Sequence, residues 1–158
     1  MIQRPQTIFL ALVAVAMAFA LTFSIWAKTD VATDQTVLLT ATAMTVSKAN
    51  AVTTTQPSIY IAIAAALGLV LSLVSISQFK NRMRQLFIGI FISFVVALVM
   101  GLSWYYIYQI GVPMFADNNK GVYGIGFYAA VAGLLFNMIA NKLIKKDEDL
   151  VRSSDRMR

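Results

Sequence analysis

The chain has 158 residues, of which 59% are hydrophobic and 13% charged, against roughly half and about a quarter in an ordinary soluble domain. It contains no cysteine and no histidine, so it supplies no disulfide, thiol nucleophile, haem-ligating imidazole or usual zinc site. The apolar residues fall into four runs of about 20 residues, the length that carries a helix across roughly 30 Å of hydrocarbon. Little chain is left for a separate soluble catalytic domain. The expectation is a single membrane domain over residues 1–158: an all-α bundle of four transmembrane helices.

After Met1 to Gln6, the uncharged stretch Thr7 to Trp26 makes the first span, with Pro5 where the first turn of a helix tolerates it. A cleaved signal peptide is the rival reading, because Arg4 precedes an apolar region containing Ala16-Met17-Ala18 and Ala18-Phe19-Ala20. The core of a signal peptide is only about 7–15 residues long, whereas this run continues past both sites, so the helix is expected to be retained.

Residues 27–58 form the first outer loop, which is rich in threonine. Within it, Thr36 to Val46 has strong β-propensity with partial alternation. A small β-hairpin follows, with Ser47 to Asn50 as the turn and Ala51 to Thr55 returning; a disordered loop is the alternative, since an isolated hairpin is marginal in water.

Pro57 and Ser58 open the second span, Ile59 to Phe79, with Ser58 as its N-cap. The third runs from Leu86 to Tyr106 and is stopped by Gly111-Val112-Pro113. Gly121 leads into the fourth, Val122 to Leu143, and the charged tail 144–158 is expected to fray beyond a helical extension.

Short loops with excess positive charge stay cytoplasmic. Arg4, Lys80, Arg82, Arg84, Lys142, Lys145, Lys146, Arg152, Arg156 and Arg158 lie on one side, and only Lys28, Lys48 and Lys120 on the other. Both termini are therefore expected in the cytoplasm. Trp26, Tyr60, Trp104, Tyr105, Tyr106, Tyr108, Tyr123 and Tyr128 cluster near the opposite ends, as headgroup-level aromatic rings do. The net charge of +6 is explained by this asymmetry and by anionic lipid, with no need for nucleic acid.

No Asp, Glu, Lys or Arg lies in the interior of the spans, where such a residue is the usual mark of a proton relay or coupled transporter. The spans carry small residues at helical spacing instead: Gly89, Ser93, Ala97 and Gly101 in the third, Gly133, Asn137 and Asn141 in the fourth, and Gly68 in the second. These are expected to pack helices within one bundle or between protomers, with the asparagine amides bonding across at about 0.6 kcal/mol each. Arg4-Pro5-Gln6 and Met83-Arg84-Gln85, each before an outward-running span, share two residues, a likeness that chance explains.

The opening Met1-Ile2-Gln3-Arg4-Pro5-Gln6-Thr7 and the segment Gln78-Phe79-Lys80-Asn81-Arg82 resemble an uncharacterised family of small four-helix membrane proteins of Bacteroidota, domain of unknown function four-two-nine-three. The resemblance implies inner-membrane placement and a retained first helix, and it implies no activity, cofactor or partner.

Two functions fit. The first is a non-enzymatic inner-membrane protein that binds a partner or organises a complex, with Arg4, Lys80, Arg82 and Arg84 touching anionic lipid or an acidic partner surface. The alternative is a small oligomeric channel or facilitative transporter, with Asn137, Asn141, Ser72, Ser75 and Ser93 lining its path. No catalytic, cofactor or metal residue is expected; an enzyme would need a nucleophile beside a base. Sequencing the mature N-terminus should return residues preceding Thr7; a start near Leu21 would mean that the first helix is removed.

Overall fold

The computed structural model describes residues 5–30, 34–48, 51–78, 81–115 and 119–155. Four helices, α1 (Pro5–Thr22), α2 (Ile59–Ser77), α3 (Arg82–Tyr105) and α4 (Ile125–Asp155), are long and apolar enough to cross a membrane. Even the shortest, α1 with 18 residues, is about 27 Å long. Each packs on its neighbour in chain order and α4 closes the ring on α1.

The buried positions recur in steps of four and three. The seam is Gln6, Leu10, Val13, Met17 and Ala20 in α1; Ile61, Ala65, Gly68, Ser72 and Ser75 in α2; and Gln85, Gly89, Ile92, Val96, Val99 and Ser103 in α3, with Ala16, Ala62, Ala64 and Val95 buried on its flanks. In α4 the same rhythm runs through Ala130, Gly133, Asn137, Ala140 and Ile144. A mean step of about 3.5 residues keeps one narrow seam facing the centre and gives the helices a left-handed wrap. The residues between are large and apolar, Phe87, Phe91, Phe94 and Leu98 in α3 for example, and face outward.

The chain is not all-α. Between α1 and α2 it forms β1 (Trp26–Asp30), β2 (Gln35–Leu39), β3 (Ala43–Lys48) and β4 (Ala51–Pro57), and β5 (Val122–Tyr123) precedes α4. These make one antiparallel sheet in the order β4-β3-β2-β1-β5. The expected hairpin is present as β3 and β4, but Thr36 to Val46 is two strands rather than one. The Thr40 hydroxyl turns the chain there, donating to the Ala43 carbonyl at 2.8 Å and accepting from the Ala43 amide at 3.2 Å, as hydroxyl side chains do in tight turns.

Span boundaries shift accordingly. Trp26 opens a strand instead of closing a helix, and Val122 belongs to β5. Beyond Tyr105 the helix widens into a π-helical turn (Tyr106–Gly111), then tightens into a 3-10 turn (Val112–Met114) before Phe115 is extended. α4 stays helical through Asp155, further than the expected Leu143.

The sheet sits as a cap on the ends of the helices and completes their backbone hydrogen bonds. The Ala62 amide, in the first turn of α2, donates to the Ala41 carbonyl at 3.1 Å; the Gly124 and Gly126 amides at the start of α4 donate to the carbonyls of Ile25 and Ser24 at 2.8 and 2.9 Å. Ser58 stands at the N-cap of α2 but makes no side-chain cap; its hydroxyl donates to the Thr40 carbonyl at 2.9 Å. At the end of α3 the buried Lys28 ammonium donates to the Val112 carbonyl at 3.1 Å and lies 5.7 Å from the Phe115 ring centroid. A cation there complements the negative end of the helix dipole.

Trp26 is fully buried, its indole N–H donating to the Lys120 carbonyl at 3.1 Å. It and the mostly buried Tyr106, whose hydroxyl donates to the Pro57 carbonyl at 3.1 Å, therefore leave the expected aromatic belt. Tyr60, Trp104, Tyr105 and Tyr128 remain exposed around the cap end. A hydrogen bond with Tyr108 raises the Tyr123 hydroxyl above the usual phenol range, with burial adding less, so Tyr123 stays protonated at neutral pH.

Apolar packing is continuous from Leu10 and Met17 through Val99 and Ile107 to Trp26, Leu39 and Met44, so bundle and cap share one core. Gly124 sits where a Cβ would overlap the Ser24 carbonyl, which is backbone, whereas a Cβ at Gly101 meets nothing within 4 Å. Gly124→Ala should therefore lower the melting temperature of the purified protein, by the equivalent of about 1–3 kcal/mol; Gly101→Ala should leave it unchanged or higher.

Candidate functional site: buried amides at the charged end

The end of the bundle opposite the cap, where α1 begins, α2 turns into α3 and the charged tail of α4 passes, buries polar side chains from every helix. Gln6, Ser75, Gln85 and Asn137 are all almost fully buried. Each occupies a seam position of its helix, so the wrap that packs the bundle also turns these groups inward.

Asn137 and Gly89 tie α4 to α3. The Asn137 amide donates to the Gly89 carbonyl at 2.7 Å and to the Ser93 hydroxyl at 2.8 Å, and that hydroxyl donates to the same carbonyl at 3.3 Å. The Asn141 side chain occupies the space a Cβ on Gly89 would need, so the glycine is what lets α4 approach. One turn nearer the charged end, the Gln85 amide crosses to α2 and donates to the Ser75 carbonyl at 3.1 Å.

These bonds use donors and leave acceptors over. Among the described residues, Gln85 Oε1, Asn137 Oδ1 and Asn141 Oδ1 have no hydrogen-bond partner, nor do the Ser75 hydroxyl and the Gln6 amide donor. A buried polar atom without a partner costs about 1–3 kcal/mol, and groups of this kind are ordinarily met by buried water. Every group in the cluster is neutral at pH 7, so what it offers is hydrogen bonds, and among the described residues no side-chain general base is hydrogen-bonded to its serine hydroxyls.

The other expected packing residues divide. Gly68 and Gly133 both border Met17, whose thioether fills the notch they leave between α1, α2 and α4, a gap suited to a flexible side chain. Ala97 and Gly101 are exposed on the outer surface of α3, and a Cβ on Gly101 meets nothing within 4 Å among the described residues. Ser72 spends its hydroxyl on the Leu69 carbonyl at 2.7 Å, which is its own helix. Arg82 is half-buried, donating to the Asp147 carbonyl at 3.0 Å, and Arg84 is exposed; Arg4 and Lys80 lie outside the described residues.

Sequence reasoning missed Gln6, Gln85, Met17 and Lys28. The two glutamines were visible as the residues shared by Arg4-Pro5-Gln6 and Met83-Arg84-Gln85, and each fills the first seam position of a helix that runs from the charged end toward the cap. Nothing in the sequence marked Met17 or the burial of Lys28.

A family model described as domain of unknown function (DUF4293) matches residues 2–157. The chain belongs to that family. No curated protein matches it. In this DUF4293 member the α3–α4 contact should register as a pairwise coupling. A double-mutant cycle of Asn137→Leu and Ser93→Ala, read by reversible unfolding in mixed micelles, should give about 0.6 kcal/mol, with a ceiling near 1.7; a coupling of zero would contradict the contact.

Proposed function

We propose that this is a non-enzymatic inner-membrane protein that anchors an ordered outer platform and pairs it with a protein partner. The observation that carries this reading is the free edge of β4. It is the last strand of the sheet, and its other side pairs with nothing among the described residues. From Val52 to Gln56 it is uncharged and rich in threonine, without the lysines that usually protect an edge. An exposed sheet edge is what an extended partner segment adds to.

The rest of the reading follows from charge. Lysine and arginine crowd the end opposite the cap, which supports a cytoplasmic location for both termini and an outward-facing sheet. Basic side chains Arg82 and Arg84, with Arg4 and Lys80, then meet the anionic leaflet or an acidic surface.

A second reading, facilitated passage through an oligomer, is favoured by the unpartnered oxygens of Gln85, Asn137 and Asn141. The continuous apolar core between them and Trp26 weighs against a path through a single copy.

Because the natural chain has no cysteine, Thr55→Cys and Asn81→Cys each create a unique thiol. In right-side-out vesicles an impermeant maleimide should label Thr55→Cys and spare Asn81→Cys; the reverse pattern would invert the topology. A short cross-linker on Thr55→Cys in native membranes should trap one second protein in stoichiometric yield. A product containing only two copies of this chain would favour the oligomer, and no product would remove the edge as the recognition surface.

A further inference from the structure

Where α3 begins and α4 leaves the bundle, a half-enclosed cavity of about 170 Å³ is lined by Arg82, Met83, Leu86, Ile144, Lys145, Glu148 and Asp149. Its chemistry is layered along the helix axes. Leu86 and Ile144 lie deepest. Arg82 stands four residues before Leu86 on α3, about 6 Å further out, beside Lys145. Glu148 and Asp149 come roughly one turn beyond Ile144 and Lys145 on α4. Outward, the apolar floor gives way to one zone of mixed charge, with Arg82 and the two carboxylates at about the same height and Lys145 just below them.

We infer that this cavity binds a zwitterionic phospholipid bearing a primary ammonium, phosphatidylethanolamine in type. Such a lipid presents acyl carbons beneath a headgroup that carries a phosphate and an ammonium side by side. The headgroup zone adds roughly 5–8 Å to each side of the hydrocarbon, which matches the rise from Leu86 and Ile144 to the carboxylates. The Arg82 guanidinium spends one donor on the Asp147 carbonyl and keeps others for a phosphate oxygen, with Lys145 as a second charge. Glu148 and Asp149 accept from the ammonium.

The carboxylates make the assignment specific. A purely anionic lipid would be served by Arg82 and Lys145 and repelled by Glu148 and Asp149. A choline headgroup carries the right charges but has no N–H to donate. The half-enclosed shape and the Met83 side chain beside the apolar floor give the first acyl carbons a place to lie. This site is independent of the β4 edge and of which side of the membrane the cap faces.

The test is native mass spectrometry of the full chain with equimolar phosphatidylethanolamine, phosphatidylcholine and phosphatidylglycerol of identical acyl chains. Charge-assisted hydrogen bonds predict that the ethanolamine lipid is retained about tenfold over the choline lipid. The double variant Glu148→Gln with Asp149→Asn should erase that preference, and Arg82→Gln should weaken retention of all three lipids. Circular dichroism and elution volume check that the variants are folded. Equal retention of the ethanolamine and choline lipids by the natural chain would overturn the inference without any variant. So would preference for phosphatidylglycerol, or an undiminished ethanolamine preference in the folded double variant.

Discussion

A helix that crosses hydrocarbon must satisfy its own backbone, and its four terminal amides and carbonyls at each end are the groups it cannot satisfy alone. At the cap end of this protein those groups are met by the sheet. The turn between β2 and β3 accepts from the first turn of α2, the Ser24 and Ile25 carbonyls accept from the first turn of α4, and Lys28 on β1 donates to the Val112 carbonyl beyond α3. The sheet exists as an ordered object because it completes the helices, which answers the objection that small isolated strands are marginal in water. The π-helical and 3-10 turns after Tyr105 fit the same logic. They stagger the last carbonyls of α3, and a lysine stem lying along apolar surface can reach one of them.

The bundle below follows a second constraint. With hydrocarbon outside, apolar side chains gain little by facing inward, so close approach and hydrogen bonding decide the seam. Gly68 and Gly133 open the notch that Met17 fills, and Gly89 gives up its side-chain volume to Asn141. The polar seam positions are concentrated toward the charged end, while the seam nearer the cap is mostly apolar, with Ser103 satisfied by the Val99 carbonyl of its own helix. The seam is thus asymmetric: its unpartnered polar atoms lie near the charged end, and apolar side chains dominate beneath the cap. That asymmetry favours an anchored platform over an open pore in one copy.

The four helices were legible because apolar runs of this length have few other uses, and the β3–β4 hairpin because of its threonine and valine content. β1 was hidden because Trp26 and Ala27 extend the apolar run of α1, and β5 because Val122 and Tyr123 read equally well as the start of a span. Short apolar runs do not distinguish strand from helix. The β2–β3 turn carries none of glycine, proline, asparagine or aspartate, and Thr40 alone gives it away. At the site, Asn137, Asn141 and Gly89 could be picked out by spacing. Gly101 could not be separated from Gly89 by spacing, because the seam advances by 3.5 residues and a strict four-residue stripe drifts off it toward the outer surface. Lys28 stands in the sequence only as one of three outward cations; its burial depends on a carbonyl 84 residues away, which no local pattern encodes.

The central claim is that cap and bundle are one cooperative unit. Amide hydrogen exchange of the full chain in lipid nanodiscs tests it most directly. The account predicts that the β1 and β2 amides exchange as slowly as those of α3 near Ser103, and that Lys28→Met speeds both regions together. Rapid exchange throughout β1 to β4 beside fully protected helices would contradict it, since the sheet would then be an appendage and its free edge no platform.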